Sequence, residues 1–177
     1  MSRVVLSIGS NLGDRLGRLQ AVLDGLGDSV RAVSPVYETD AWGGVEQDRF
    51  LNAVVIAEDP CLDARGWLRR AQEFEHDNQR VRTLKWGSRT LDVDLVCCDE
   101  DGAEVFSETA DLTLPHPFAH QRAFVLVPWL AADPSAELTI AGRRVPVQEL
   151  LDELPTAERE GVRPTVLVLA GTDKAPG

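Results

Sequence analysis

The sequence predicts a single domain that mixes β-strands with α-helices, and two patterns and the chain length carry that reading. Leu91, Val93 and Leu95 alternate with Thr90, Asp92 and Asp94, the period of a half-buried strand. Leu12, Leu16, Leu19, Leu23 and Leu26 recur at helical spacing and stop at Gly27, where a C-terminal cap belongs. The length, 177 residues, suits one domain and suffices for a sizeable core.

Taken in order, Val4 to Ile8 is an almost wholly apolar run and reads as a buried strand. It ends in Gly9-Ser10-Asn11-Leu12-Gly13-Asp14, a turn rich in residues that tolerate positive φ. No Gly-Lys-Ser/Thr follows, so the turn is a tight strand-to-helix connection and not a P-loop. Val30 to Thr39 and Phe50 to Ala57 read as strands, joined by an irregular stretch from Asp40 to Arg49 that includes Trp42. Connections of that length are commonly functional or mobile. Phe50 and Asn52, two apart on a strand, share a face. An aromatic beside an amide suits a flat heterocycle; a core Phe next to a strand-end Asn is the plainer alternative.

Beyond Pro60, Ala64, Trp67, Leu68, Ala71 and Phe74 trace one helical face, with Gln72 and Glu75 on another. Asp99 to Glu104 reads as an acidic turn. Leu114-Pro115-His116-Pro117 holds a histidine between two prolines, with Arg122 and Phe124 following. Such a histidine is either structural or, with Arg122, a rigid anion grip. Val145 to Leu154 reads as a further helix, Thr165 to Leu169 as a last strand, and Gly171 to Gly177 as a disordered tail. No internal repeat or linker divides the chain.

The chemistry concentrates between Arg80 and Leu95. Strand alternation puts Asp92 and Asp94 on one face, roughly 7 Å apart at Cα. Two carboxylates on one face repel and ask for a cation, and hard oxygen donors at that spacing suit Mg²⁺ shared with phosphate oxygens. Directly before them come Arg80, Arg82, Lys85 and Arg89, broken by Gly87 and Ser88 in the manner of a loop. An Asp-x-Asp pair alone is usually a solvated face. The adjacency of four cations, in a chain of net charge -11, favours a metal-phosphate site.

Composition narrows the field. Hydrophobic content of 44% and charged content of 27% are ordinary for a soluble globular protein. No apolar run nears the roughly 20 residues of a membrane span, and the first residues lack the form of a signal peptide. Three cysteines, Cys61, Cys97 and Cys98, make neither a disulfide framework nor a zinc spacing. The acidic balance argues against general nucleic-acid binding, since phosphate backbones need basic surface. A cytoplasmic protein without membrane or nucleic-acid partners is expected.

Gly-Ser-Asn-Leu at 9–12, Phe-Leu-Asn at 50–52, Arg-x-Arg followed by Trp-Gly-x-Arg-Thr-Leu-Asp-x-Asp, and Pro-His-Pro with Arg122 and Phe124 resemble the 6-hydroxymethyl-7,8-dihydropterin pyrophosphokinases. The resemblance runs in order from Val4 to about Pro134. It implies an α+β, ferredoxin-like sandwich, a mainly antiparallel sheet flanked by helices, with mobile loops closing on ATP. It also implies transfer of the terminal diphosphate of ATP to the hydroxymethyl group of the pterin, in folate biosynthesis, by an enzyme expected to be monomeric.

By this resemblance Asp92 and Asp94 would hold two Mg²⁺ ions, and Arg82 and Arg89 would neutralise the transferred group. Gln72, Glu75, Arg80, Leu95, Thr113, His116 and Arg122 would be nucleotide contacts, with Trp86 lining a wall shared by both substrates. Phe50 and Phe124 would sandwich the pterin, Asn52 would read its amide edge, and Thr39, Asp40 and Trp42 would complete that edge. The chain departs from the family's commoner residues in carrying Asp40 for a Pro, Phe50 for a Tyr and Phe118 for an Arg. Two other classes compete: a two-metal phosphoesterase needs no heterocycle site, and a non-catalytic nucleotide module needs no carboxylate pair.

Overall fold

The computed structural model describes residues 1–40, 49–78 and 91–170. The expectations for Trp42, Arg80, Arg82, Lys85, Trp86, Arg89 and the 171–177 tail lie outside the described residues.

The first strand, β1 (Ser2–Ser10), extends the apolar run at both ends. Helix α1 (Arg15–Leu26) follows, two turns of its leucines buried at Leu19, Leu23 and Leu26. Its first turn is capped by the Asp14 carboxylate, which accepts from the Gly17 N–H, so Leu12 precedes the helix. Gly27 closes it at φ 53°, donating its N–H to the Leu23 carbonyl, a conformation that costs any residue with a Cβ.

The stretch expected as one strand from Val30 to Thr39 is two, β2 (Val30–Val33) and β3 (Tyr37–Thr39). Pro35 cannot donate to a ladder. Ser34 fills the gap: its N–H donates to the Val54 carbonyl and its hydroxyl accepts from the Val54 N–H. Both strands lie along β4 (Phe50–Asp59). Helix α2 (Ala64–Asn78) buries Ala64, Trp67, Ala71 and Phe74 as its periodicity predicts. Trp67 anchors it by donating its indole N–H to Ser2 Oγ at 2.8 Å.

Next comes β5 (Asp92–Glu100), which turns back through Asp101 and Gly102, both at positive φ, into β6 (Ala103–Glu104). A small ribbon, β7 (Ser107–Glu108) and β8 (Thr113–Leu114), leads to helix α3 (Ala123–Ala132). A hairpin of β9 (Glu137–Ile140) and β10 (Arg143–Pro146) precedes the short helices α4 (Val147–Asp152) and α5 (Thr156–Glu160).

The tail end of the chain corrects the sequence reading twice. Val145 and Pro146 belong to β10, paired to Leu138 and Glu137, so the helix begins later. The last strand is β11 (Val162–Pro164), paired to β3; residues 165–169 form no ladder. Alternation alone does not make a strand without a partner edge.

All pairings in the main sheet are antiparallel, and it runs β11-β3-β4-β1-β5-β6, with β2 also on β4. Stripped to β1-α1-β2-β4-α2-β5, the order β5-β1-β4-β2 is the ferredoxin-like α+β sandwich. One face (Val4, Leu6, Ile8, Leu51, Val55, Val93) packs on α1 and α2. The other (Val5, Val54, Ile56, Val96) packs on α3 and α4 through Leu126, Trp129 and Leu150. Among the described residues no helix is long and apolar enough to cross a membrane.

Candidate active site

Strand register decides which polar groups meet. On β1, Ser7 stands opposite Asp94 of β5, and Gly9 stands between Asp92 of β5 and Asn52 of β4. Alternation puts Ser7, Gly9, Asn52, Asp92 and Asp94 on the α3 side of the sheet, beyond the reach of its apolar cover. A cavity of about 370 Å³ opens there, lined by these residues with Thr39, Asp40, Phe50, His116, Arg122 and Phe124.

Asn52 and Thr39 are both buried, and the Asn52 amide donates to Thr39 Oγ1 at 2.6 Å. Gly9 makes room for that amide: a Cβ there would sit 2.5 Å from Asn52 Oδ1. Phe50 and Phe124 are half-buried walls. Asp40, at the end of β3, donates its N–H to the Gly161 carbonyl and accepts from the Arg163 guanidinium at 2.8 Å. That hydrogen bond, more than the nearby positive charge, holds its carboxyl below the usual carboxylate range.

A bulge carries the histidine into place. Leu6 pairs with Leu95 but Val5 pairs with Cys97, leaving Val96 as the extra residue. The Val96 carbonyl accepts from the His116 N–H at 2.8 Å, tying the Pro-His-Pro segment to the sheet. His116 Nδ1 accepts from the Phe118 N–H, so the neutral ring carries its proton on Nε2. Burial lowers the His116 pKa, Arg122 lowers it further, and Asp94 opposes them. The Arg122 guanidinium lies over two rings, 5.9 Å from Phe118 and 5.5 Å from Phe124, within cation–π range.

Of the predicted site residues, the cavity thus gathers Thr39, Asp40, Phe50, Asn52, Asp92, Asp94, His116, Arg122 and Phe124. Four others do not line it. Leu95 is buried in the core on the opposite face, Gln72 and Thr113 are exposed, and Glu75 accepts from the Val93 N–H at 3.4 Å. Ser7 was not singled out by the sequence reading, and Gly9 was read as part of a turn and of the Gly-Ser-Asn-Leu motif, not as a residue lining the site. Their signal was a serine and a glycine interrupting an apolar strand on its polar parity.

Asp92 and Asp94 offer two half-buried carboxylates on one strand face. Among the described residues no group of three or more His, Cys, Asp or Glu could hold an ion unaided. That donor set fits Mg²⁺, which keeps waters and shares its shell with phosphate oxygens.

Fold and cavity together define an α+β domain in which a carboxylate pair and a buried amide face one recess. Residues 5–134 match the family described as 7,8-dihydro-6-hydroxymethylpterin-pyrophosphokinase, and the chain belongs to that family. It is 60% identical over 168 residues to the 2-amino-4-hydroxy-6-hydroxymethyldihydropteridine pyrophosphokinase of Mycobacterium tuberculosis, covering 92% of this chain and 89% of that protein. A protein of the same name from Mycobacterium leprae is 62% identical over 175 residues, covering 96% of this chain and 92% of the relative. The crystal structure of wild-type Plasmodium falciparum HPPK-DHPS shares the fold, with a TM-score of 0.58 at 12% identity. The match covers 86% of this chain but only 44% of that longer one.

Proposed function

We propose that this protein transfers the β,γ-diphosphate of ATP to the hydroxymethyl group of 6-hydroxymethyl-7,8-dihydropterin, giving the pterin diphosphate and AMP in folate biosynthesis. The observation that carries the reading is the register at Gly9, which sets the Asn52 amide and the Asp92 carboxylate on either side of one glycine. A recess with an amide, two phenyl walls and a carboxylate pair suits a flat, polar ring bearing a nucleophilic hydroxyl.

In this reading Phe50 and Phe124 sandwich the pterin, and Asn52, held by Thr39, reads its amide edge beside Asp40. His116 and Arg122 donate N–H groups to phosphate oxygens, and a neutral imidazole with its proton on Nε2 suits that role. Asp92 and Asp94 would hold Mg²⁺, as many as two ions, which when bound would supply charge neutralisation for the diphosphate. The hydroxymethyl oxygen attacks the β-phosphorus, and the bond from that phosphorus to the oxygen bridging to the α-phosphate breaks. AMP leaves with the bridging oxygen. No dedicated general base stands out, and in this reading Asp94 accepts the hydroxyl proton. By resemblance Arg82 and Arg89 neutralise the moving group, with Arg80, Trp42 and Trp86 alongside, and Gln72, Glu75, Leu95 and Thr113 serve the nucleotide away from the recess. Positioning and charge neutralisation carry the rate, since phosphoryl transfer leaves the protein little covalent work.

The reading includes a cytoplasmic, monomeric enzyme with no nucleic-acid or membrane partner. AMP release from ATP, measured with and without the hydroxymethyl pterin, tests it. AMP is expected only when the pterin is present. Equal AMP formation without it would point to a hydrolase, and none in either condition to a binding module.

A further inference from the structure

The family match ends at residue 134, yet two elements beyond it touch both walls of the recess. Strand β11 pairs Val162 with Thr39, Arg163 with Glu38 and Pro164 with Tyr37, so it backs the strand that presents Thr39. The Gly161 carbonyl takes the Asp40 N–H, and Arg163 Nη2 bonds Asp40 Oδ1 at 2.8 Å. Arg163 and Arg49 share Glu38 as well, at 3.9 and 3.1 Å, so the cation sits within a mixed ion cluster at the cavity rim.

The other wall is braced by α5. Helix α3 starts at Ala123 with no cap from its own N-cap side chain, Arg122. Glu158 supplies one from outside: its Oε1 accepts from the Ala123 N–H at 3.4 Å. Ala123 lies between Arg122 and Phe124, both of which line the cavity. A carboxylate at a helix N-terminus is favoured by the exposed N–H groups and the helix dipole.

Building on the pterin-site reading above, we propose that the α5–β11 segment is a positioning element for the pterin recess, with Arg163 setting Asp40 and Thr39 on one side and Glu158 setting the turn that carries Phe124 on the other. Neither residue lines the cavity, so both act through their neighbours. The Asp40–Arg163 pair is partly exposed, with side chains 59% and 38% accessible, so its loss alone has a modest effect. The two braces meet the recess at different walls, and their losses add.

The test is steady-state kinetics on the full chain for Arg163→Ala, Glu158→Ala and the double variant, with Arg163→Lys and Glu158→Gln as conservative partners. Each alanine variant is expected to raise KM for the pterin about threefold, and the double variant about tenfold. KM for ATP in Arg163→Ala and kcat in all variants stay within about twofold, and the conservative variants recover at least half of the loss. A purely structural role would move KM for ATP, kcat and melting temperature together, and that outcome overturns the proposal. So does a pterin KM in the double variant within twofold of wild type. Should the double variant not fold, calorimetric pterin affinity of Arg163→Ala against Arg163→Lys decides it. Absence of pterin-dependent AMP formation in the wild type would instead refute the underlying functional reading.

Discussion

The two faces of the sheet use the same strands and come to opposite ends. Toward α1 and α2 the face is apolar along its length, from Val4, Leu6 and Ile8 across Leu51, Val55, Val93 and Leu95. Toward α3 it is apolar only mid-sheet, at Val5, Val54, Ile56 and Val96, and then turns to Ser7, Gly9, Asn52, Asp92 and Asp94. The covering helix starts where that change occurs, with Arg122 and Phe124 at its first turn. The difference teaches that the site is a region the core leaves uncovered. Burying two carboxylates under apolar side chains would cost several kcal/mol each, so the polar end stays open to solvent and to charged ligands.

The largest expected effect breaks the open face alone. Asp92→Ala or Asp94→Ala should lower kcat by about a thousandfold, the scale of losing a preorganised charge contact at the reacting group. Melting temperature should hold or rise slightly, because one member of a like-charge pair is gone. Retention of more than a tenth of wild-type turnover in either variant would refute the metal and phosphate assignment.

The closed face should respond in the opposite sense. Leu6 is 2% exposed, and Leu6→Ala should cost about 3 kcal/mol through lost transfer energy and a residual cavity. For a chain of this size that lowers the melting temperature by about 6–12 °C. Below the transition, KM for pterin and ATP should stay near wild type. A matching loss of substrate affinity would mean that the two faces are coupled through β1.

A smaller change probes the seam at Gly9, between Asn52 and Asp92. Gly9→Ala puts a methyl 2.5 Å from Asn52 Oδ1, so the amide must turn away from its bond to Thr39. Displacing one such buried hydrogen bond costs about 1–2 kcal/mol, and pterin KM should rise about tenfold with little change for ATP. Unaltered pterin KM would remove Asn52 from the recognition of the ring.

The smallest expected effect is a pH dependence. The folded-state pKa of His116 lies below the unfolded value of 6.5, chiefly through burial. As pH falls below about 6.5 the unfolded chain binds the proton first, so folding stability declines toward acid and is undiminished above. In His116→Gln the part of that decline due to His116 should be absent. The melting-temperature difference between wild type and variant should therefore be flat above about pH 7 and shift in the variant's favour toward about pH 5. Parallel profiles would show that His116 is not desolvated.

What the sequence determined by itself is local. Period 2 in Leu91 to Leu95 put the two aspartates on one face, period 3.6 gave the buried stripes of α1 and α2, and Gly27 gave a helix end. These follow from side-chain direction along one element and need no partner. Pro35 was also visible, though its consequence, two strands in place of one, depends on Ser34 answering Val54 across the sheet. Only the tertiary structure decided the rest. The Gly9 register joins residues 52 and 92, the Val96 bulge hands a carbonyl to His116, and β11 forms at Val162–Pro164 while 165–169 forms no ladder. Each is a pairing between segments distant in sequence, settled by which edge lies next to which. Alternation along one strand records only its two faces, never the strand that will lie beside it.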